Sequence, residues 1–246
     1  MRITFISDTH SKHRQITKDL PGGDLLIHAG DMSSMGYKRE IEDFCKWFDG
    51  INNYDHKVFI AGNHDWGFIN QIQLSLTGEA EVPDETQQIL NSYKTFDYLF
   101  DSEVLLSATE KDGTEKYRVN VYGSPWQPEF YNWAFNLPRR GENLKSVWER
   151  IPETTDILVT HGPAYGFVDT VYYRPAEHLG CELLTERIGI IKPKIHVCGH
   201  IHTGYGHFFD GTTHYINAAV LDERYMYTQE PLTADWDQET NELIFL

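Results

Sequence analysis

The sequence predicts an α/β fold with sheets sandwiched between helices, and three observations carry this reading. Short apolar runs rich in β-branched residues recur along the chain, each bounded by glycine or a polar cluster, as buried strands are. Patterns of helical period lie between several of them, and strands alternating with helices build α/β architectures. At 246 residues, 40% apolar and 24% charged, the chain can bury a sizeable core.

The elements follow in order. Five strand-like runs end in polar clusters: 3–7 before Asp8-Thr9-His10, 25–29 before Gly30-Asp31, and 58–61 before Gly62-Asn63-His64-Asp65. The last two are 157–160 before His161-Gly162, and 195–198 before Gly199-His200-Ile201-His202. Ile41, Phe44, Cys45 and Phe48 share one helical face; Leu144, Val147, Trp148 and Ile151 repeat that spacing until Pro152 closes it. Leu183, Leu184, Ile188 and Ile191 follow it more loosely ahead of Pro193. Residues 104–108, 117–122, 215–219 and 243–245 read as further strands, and Asp112-Gly113 marks a hairpin between the first two. The stretch 66–103 reads as helical with a loop near 78–83. With no repeat, linker or low-complexity segment, one domain is expected over 1–246, with an antiparallel contribution late in the chain.

Composition narrows the partners. The chain carries 37 acidic and 21 basic side chains, a formal charge of −16. That argues against a long nucleic acid held by counterion release and against a membrane surface held by a basic face. No run of about 18 apolar residues is present and no charged-then-apolar leader opens the sequence, so no membrane span and no signal peptide are expected. Cys45, Cys181 and Cys198 are too few and too widely spaced for a disulfide framework or a zinc knuckle. Reduced, buried thiols and a cytoplasmic location are the expectation.

All five runs place Asp, Asn or His at the carboxyl end, where open α/β sheets place their functional crevice. Convergence there gathers Asp8, His10, Asp31, Asn63, His64, His161, His200 and His202. Oxygen and imidazole donors suit Mn, Fe or Zn, and about seven of them are too many for one tetrahedral zinc. They suit two ions about 3.5–4 Å apart that share a carboxylate.

Those five clusters resemble the five blocks of the calcineurin-like metallophosphoesterases. A narrower resemblance, to the metallophosphoesterase-domain-containing, class III phosphodiesterase-like subfamily, rests on four strings. They are Gly123-Ser124-Pro125-Trp126, Trp133-Ala134-Phe135-Asn136-Leu137-Pro138, Thr160-His161-Gly162-Pro163 and Ile201-His202-x-Gly204-Tyr205-Gly206. The resemblance implies a four-layer α/β/β/α sandwich of two mixed sheets. It implies a first metal on Asp8, His10 and His202, a second on Asn63, His161 and His200, and Asp31 bridging both. His64 would face the substrate, with Asp65 orienting its ring. Members of the subfamily can lack the first histidine of the Gly-His-x-His block; His200 is present here, which implies a complete second site. The activity implied is hydrolysis of small phosphodiesters, cyclic nucleotides foremost, by attack of a metal-bridged hydroxide. Mn is the ion expected in vitro, with Fe, Zn or Ni as alternatives.

One departure from the superfamily pattern matters. Protein phosphatases of this kind follow Gly-Asp with an Asp-Arg-Gly segment and extend the third block to Asn-His-Glu. Here Gly30-Asp31 is followed by Met32-Ser33-Ser34-Met35-Gly36, and His64 by Asp65. The arginine that would grip a phosphomonoester is missing there, which favours diesters. A phosphomonoesterase or nucleotidase, a Mn-dependent nuclease, and a non-enzymatic metal-stabilised binding protein are the alternatives. The expected partner is a small phosphoester, and the chain a monomer or homodimer.

Aromatic residues crowd 126–135, where Trp126, Phe130, Tyr131, Trp133 and Phe135 either pack a loop on the core or stack a base. Trp126, Tyr131 and, beyond the fifth block, Tyr205 are candidate substrate contacts, with Tyr165 and Arg174 nearby. His28 and His196 lie inside strands and read as hydrogen-bonded core residues, and His207 lies outside the ligand pattern.

Overall fold

The computed structural model describes residues 1–70 and 80–246, without the side chains of 174–176. Two six-stranded mixed sheets face each other. In the first, β1 (Arg2–Ile6), β2 (Gly23–Ala29), β3 (Tyr54–Ile60) and β4 (Asp97–Tyr98) run parallel. β15 (Leu232–Asp237) pairs antiparallel with β1, and β16 (Glu242–Phe245) lies beyond it. In the second, β6 (Glu115–Ser124), β9 (Ile157–Thr160), β12 (Ile195–Cys198) and β14 (His214–Asn217) run parallel, edged antiparallel by β5 (Ser102–Thr109) and β13 (Gly206–Phe209). Two short pairs, β7 (Gln127–Pro128) with β8 (Asn136–Leu137) and β10 (Thr170–Val171) with β11 (Arg174–His178), occur in the loops that follow β6 and β9.

Strand periodicity sorts the side chains into layers. Ile3, Phe5, Leu25, Ile27, Val58 and Ile60 meet Val119, Val121, Ile157, Val159, Ile195 and Val197 between the sheets. The alternate residues Leu26, Phe59, Tyr122 and Leu158 point outward under helices. Over the first sheet lie α1 (Lys38–Asp49) and α2 (Asp84–Asn91), with Phe44 and Phe48 of α1 packing on Phe59 at ring-centroid distances of 5.2 and 5.8 Å. Over the second lie α3 (Glu142–Glu149) and α4 (Glu182–Ile191), tied where the Trp148 indole N–H meets Cys181 Sγ at 3.3 Å. The architecture is the four-layer sandwich expected.

Parallel register levels the strand ends. Ile6 lies opposite His28, and Ala29 opposite Ile60, so the loops after β1, β2 and β3 emerge side by side. Val159 lies opposite Val197 and does the same for β9 and β12. Three features differ from expectation. In the stretch 66–103 only a short turn at Trp66–Phe68 and α2 are helical among the described residues, and part of the expected loop near 78–83 lies outside them. β15 was not among the expected strands, because it is no continuous apolar run: Leu232, Ala234 and Trp236 face the core between the sheets and alternate with polar residues. The edge strand β13 holds exposed Phe208 and Phe209, the reverse of a buried run.

Two polar devices lie in this core. The Lys57 ammonium donates to the carbonyls of Phe48 (2.5 Å), Asp49 (3.1 Å) and Ile51 (2.8 Å), closing the carboxyl end of α1 where helix carbonyls lack partners. His28 and His196 each donate from Nε2 to a threonine hydroxyl, Thr9 at 2.9 Å and Thr160 at 2.8 Å. Burial holds both rings neutral, with pKa values pushed down to about 3.

Replacing Lys57 by Met leaves three carbonyls without their charged donor, and a loss of about 2–3 kcal/mol in urea unfolding, at unchanged slope, is expected. The histidines give a pH dependence. The unfolded chain binds protons at the ordinary value of 6.5, whereas the native ring resists them down to about 3, so stability falls as pH drops through that window. Each ring contributes about 1.4 kcal/mol per pH unit there. His196→Gln should flatten the loss of unfolding free energy between pH 6 and pH 4 by about that amount; an unchanged slope would mean that the native ring protonates freely.

Candidate metal centre

The loops after β1, β2, β3, β9 and β12 converge at one end of the sandwich. Backbone bonds join them: the Asp8 N–H donates to Gly30 O (2.9 Å) and the His10 N–H to Asp31 O (3.0 Å). Asp8, His10, Asp31 and His200 adopt positive φ, at 55°, 39°, 54° and 64°. For residues with side chains this costs about 1–3 kcal/mol each, and such strain persists where surrounding structure demands it. Two glycines permit the close approach. A Cβ on Gly62 would lie 2.3 Å from Asp31 Oδ1, and one on Gly199 would lie 2.1 Å from Asp8 Oδ2.

Three groups of donor atoms result, each with all its atoms within 4.8 Å of one another: Asp8, His10 and His202; His10, Asp31 and His64; Asp31, His161 and His200. Asp8 Oδ1 lies 3.3 Å from His202 Nε2 and 4.0 Å from His10 Nε2. Asp31 Oδ2 lies 3.3 Å from His161 Nε2 and 3.7 Å from His10 Nε2. Asn63 Oδ1 joins at 3.0 Å from His161 Nε2. Each carboxylate also accepts a backbone N–H, Asp8 from His200 at 3.0 Å and Asp31 from His64 at 2.8 Å. The Nδ1–H groups of His161 and His202 donate outward to Ala29 O and Asp222 O, each at 2.9 Å, which aims Nε2 at the carboxylates. All seven expected ligands are therefore together.

Charge balance explains the cluster. Burial pushes both carboxyls up, but His202 beside Asp8 and His161 beside Asp31 hold them well below the usual carboxylate range. Burial pulls His161 and His202 down, yet the facing carboxylates outweigh it and carry both up to about 9. Burial dominates at His10 and His200, held down to about 4 and about 3 with their lone pairs free. His10 Nε2 is buried without any hydrogen-bond partner. An orphaned imidazole nitrogen between two desolvated carboxylates fits a divalent cation, as does the mixed oxygen and nitrogen donor set. Binding one would displace the protons held by His161 and His202.

Beyond the ligands, several expectations need correction. Asp65 does not orient His64. Its buried carboxylate accepts the N–H groups of Gly62 (2.8 Å), Ser33 (2.9 Å) and Met32 (3.3 Å) and the Ser33 hydroxyl (2.5 Å), splinting the loops after β2 and β3 together. The His64 ring is set instead by Nδ1–H donation to Ser34 O (2.8 Å) and by Trp133, stacked at 4.1 Å and 27°. Trp126 is no substrate contact: it is 4% exposed, bonded through its indole N–H to Asp101, and packed on Phe135. Tyr131 is 82% exposed and stands outside the cleft, and the Tyr205 hydroxyl is turned away to Glu230 O (2.7 Å). Tyr165 packs near His178, 5.4 Å between ring centroids, and the Arg174 side chain lies outside the described residues. His207 bonds His214 at 2.9 Å, away from the cluster.

The cleft above the cluster, about 420 Å³, is lined instead by residues the sequence did not single out as contacts: Phe130, Arg139, Val171, Leu179 and Tyr225. The aromatic density of 126–135 was the available signal for Phe130; nothing marked Tyr225.

Asp65→Ala removes the acceptor of four hydrogen bonds and should cost about 2–4 kcal/mol in chemical denaturation. A variant of native stability whose only change is a freely turning His64 ring, seen by NMR, would restore the orienting role to Asp65.

A profile of the calcineurin-like phosphoesterase family matches residues 1–204. Metallophosphoesterase domain-containing protein 1 of Homo sapiens is 38% identical over 244 residues, covering 95% of this chain and 70% of that protein. A UPF0046 protein of Caenorhabditis elegans is 36% identical over 247 residues, covering 96% of this chain and 60% of its own. Among solved structures, a phosphopantetheinyl hydrolase from Mycobacterium tuberculosis superposes with a TM-score of 0.52 at 14% identity, over 91% of this chain and 90% of that one, a likeness of fold. The family is one of phosphoester hydrolases that use divalent metals, and the donor groups described above suit that chemistry. The matched span holds all five ligand-bearing strand ends, and the human relative aligns along nearly the whole length, so the chain belongs to the calcineurin-like phosphoesterase family.

Proposed function

We propose that the protein is a two-metal phosphodiesterase acting on small esters, with cyclic nucleotides the foremost class. The observation that carries this reading is the position of Asp31, whose Oδ2 lies 3.7 Å from His10 and 3.3 Å from His161 and so belongs to donor groups on both sides. Asp8, His10 and His202 would hold one ion and Asn63, His161 and His200 the other, with Asp31 placed to serve both. When bound, the ions supply Lewis-acid stabilisation of a phosphoryl group and a nucleophile at neutral pH.

The chain's own residues do the rest. His64 faces the cleft with Nδ1–H spent on Ser34 O, so Nε2 is the nitrogen that meets substrate and carries a proton to the departing ester oxygen. Trp133 on one face and His10 edge-on at 4.6 Å keep that ring from turning. The preference for diesters rests on cationic supply. Arg139 is the one Arg or Lys among the described cleft residues, and its guanidinium is engaged by Glu182 (3.1 Å) and by the carbonyls of Leu179 and Gly180. Among the described residues no free guanidinium lines the cleft to pair with the second charge of a phosphomonoester.

Three measurements test this. Purified protein supplied with Mn²⁺ should hydrolyse bis-p-nitrophenyl phosphate faster than p-nitrophenyl phosphate; the reverse order would make it a phosphomonoesterase. Asp31→Ala should lose metal by elemental analysis. His64→Ala should keep metal and lose about 10²–10⁴ in kcat, and wild-type turnover by that variant would remove His64 from the mechanism.

A further inference from the structure

Two cleft aromatics stand partly exposed beside the donor groups. Phe130 is 46% and Tyr225 42% exposed, while Trp126 and Phe135, from the same string as Phe130, are 4% and 0% exposed. Large exposed apolar groups facing a cavity mark binding surfaces.

Their placement is specific. Phe130 stands edge-on to His200 at 5.2 Å, beside one donor group. Tyr225 stands edge-on to His10 at 4.8 Å and to His202 at 5.6 Å, beside another. Both line the same cleft, with Val171, Leu179 and Pro163.

Neither ring hangs on a loose loop. The Asn136 amide donates to the carbonyls of Phe130 (3.2 Å) and Tyr131 (3.0 Å). The Asp222 carboxylate accepts the N–H groups of Arg224 (2.9 Å) and Met226 (2.8 Å), and the Lys12 ammonium holds the Tyr225 carbonyl. Tyr225 is fixed at φ 57°, a strained conformation for a residue with a side chain. Its turn is also tied to the metal cluster, because Asp222 O accepts the His202 Nδ1–H. Exposed apolar rings held in place by hydrogen-bonded backbone are prepaid for a ligand, since little ordering remains when it binds.

We infer that Phe130 and Tyr225 are specificity residues that receive an uncharged, planar or apolar ester arm between them, selecting diesters with an aromatic substituent over those with a small alkyl one. Glu129 and Glu223 flank the two rings and line the same cleft, so an arm bearing further negative charge meets like charge there. This inference rests on the diesterase reading for turnover, but it commits to binding independently.

Calorimetry on the Mn²⁺-loaded protein, with diphenyl phosphate and dimethyl phosphate as probes, separates the two. The wild type should bind the diphenyl ester about tenfold or more tightly, the scale of aromatic stacking. Phe130→Ala and Tyr225→Ala should each erode that preference, losing affinity for diphenyl phosphate far more than for dimethyl phosphate, and Tyr225→Phe should keep it. Equal affinity of the wild type for both esters, or equal losses for both in the alanine variants, overturns the inference. A wild type that shows the preference and its loss in the variants, yet hydrolyses no diester, sustains the inference and sinks the diesterase reading alone.

Discussion

Two carboxylates, Asp8 and Asp31, sit desolvated at the seam between the sheets, and the architecture around them keeps them charged. An unpaired buried carboxylate is costly enough to take up a proton instead. Here each acid has an imidazole from the second sheet at 3.3 Å and a backbone N–H turned toward it. The strained φ angles at Asp8, His10, Asp31 and His200 are the conformational cost of that arrangement. The stacking of the sheets, the levelled strand ends and the glycines beside the carboxylates all serve one requirement: imidazoles from one sheet must reach acids from the other without water between.

Legibility in the sequence tracked how local each signal was. The strands carrying the site announced themselves because their residues are buried on both faces, as Leu25-Leu26-Ile27 and Ile157-Leu158-Val159 are. The helix faces of α1 and α3 were equally plain, since Phe44 with Phe48 and Leu144 with Trp148 repeat at helical spacing, each pair turned toward one sheet. β15 was missed because half its residues face outward, so Leu232, Ala234 and Trp236 alternate with polar residues and form no continuous apolar run. Its place beside β1 is a contact across more than two hundred residues, which no local pattern records.

The site divided along the same line. Its donors could be named because each one directly follows a strand, so the strand end alone fixes its place. The role of Asp65 could not, since adjacency to His64 says nothing about which way a carboxylate turns; it turned toward the amides of another loop. The cleft wall was hidden for a related reason. Phe130 and Tyr131 are neighbours in a turn, and only its backbone path decides that the former lines the cleft and the latter stands outside. Tyr225 lies in a turn with no apolar periodicity, held by Asp222 within the turn and by Lys12 from far along the chain.

The glycines at 62 and 199 carry an evolutionary consequence. A single added carbon at either would strike the carboxylate it faces, so these two positions admit glycine alone. Phe130 and Tyr225 instead stand on turns whose hydrogen bonds run through backbone atoms, and their side chains can change while the turns persist. The floor and the wall of the cleft are thus under different steric constraints. Changing those two side chains alone varies the cleft wall, whereas changes elsewhere in the Tyr225 turn reach the donor cluster through Asp222 O and His202.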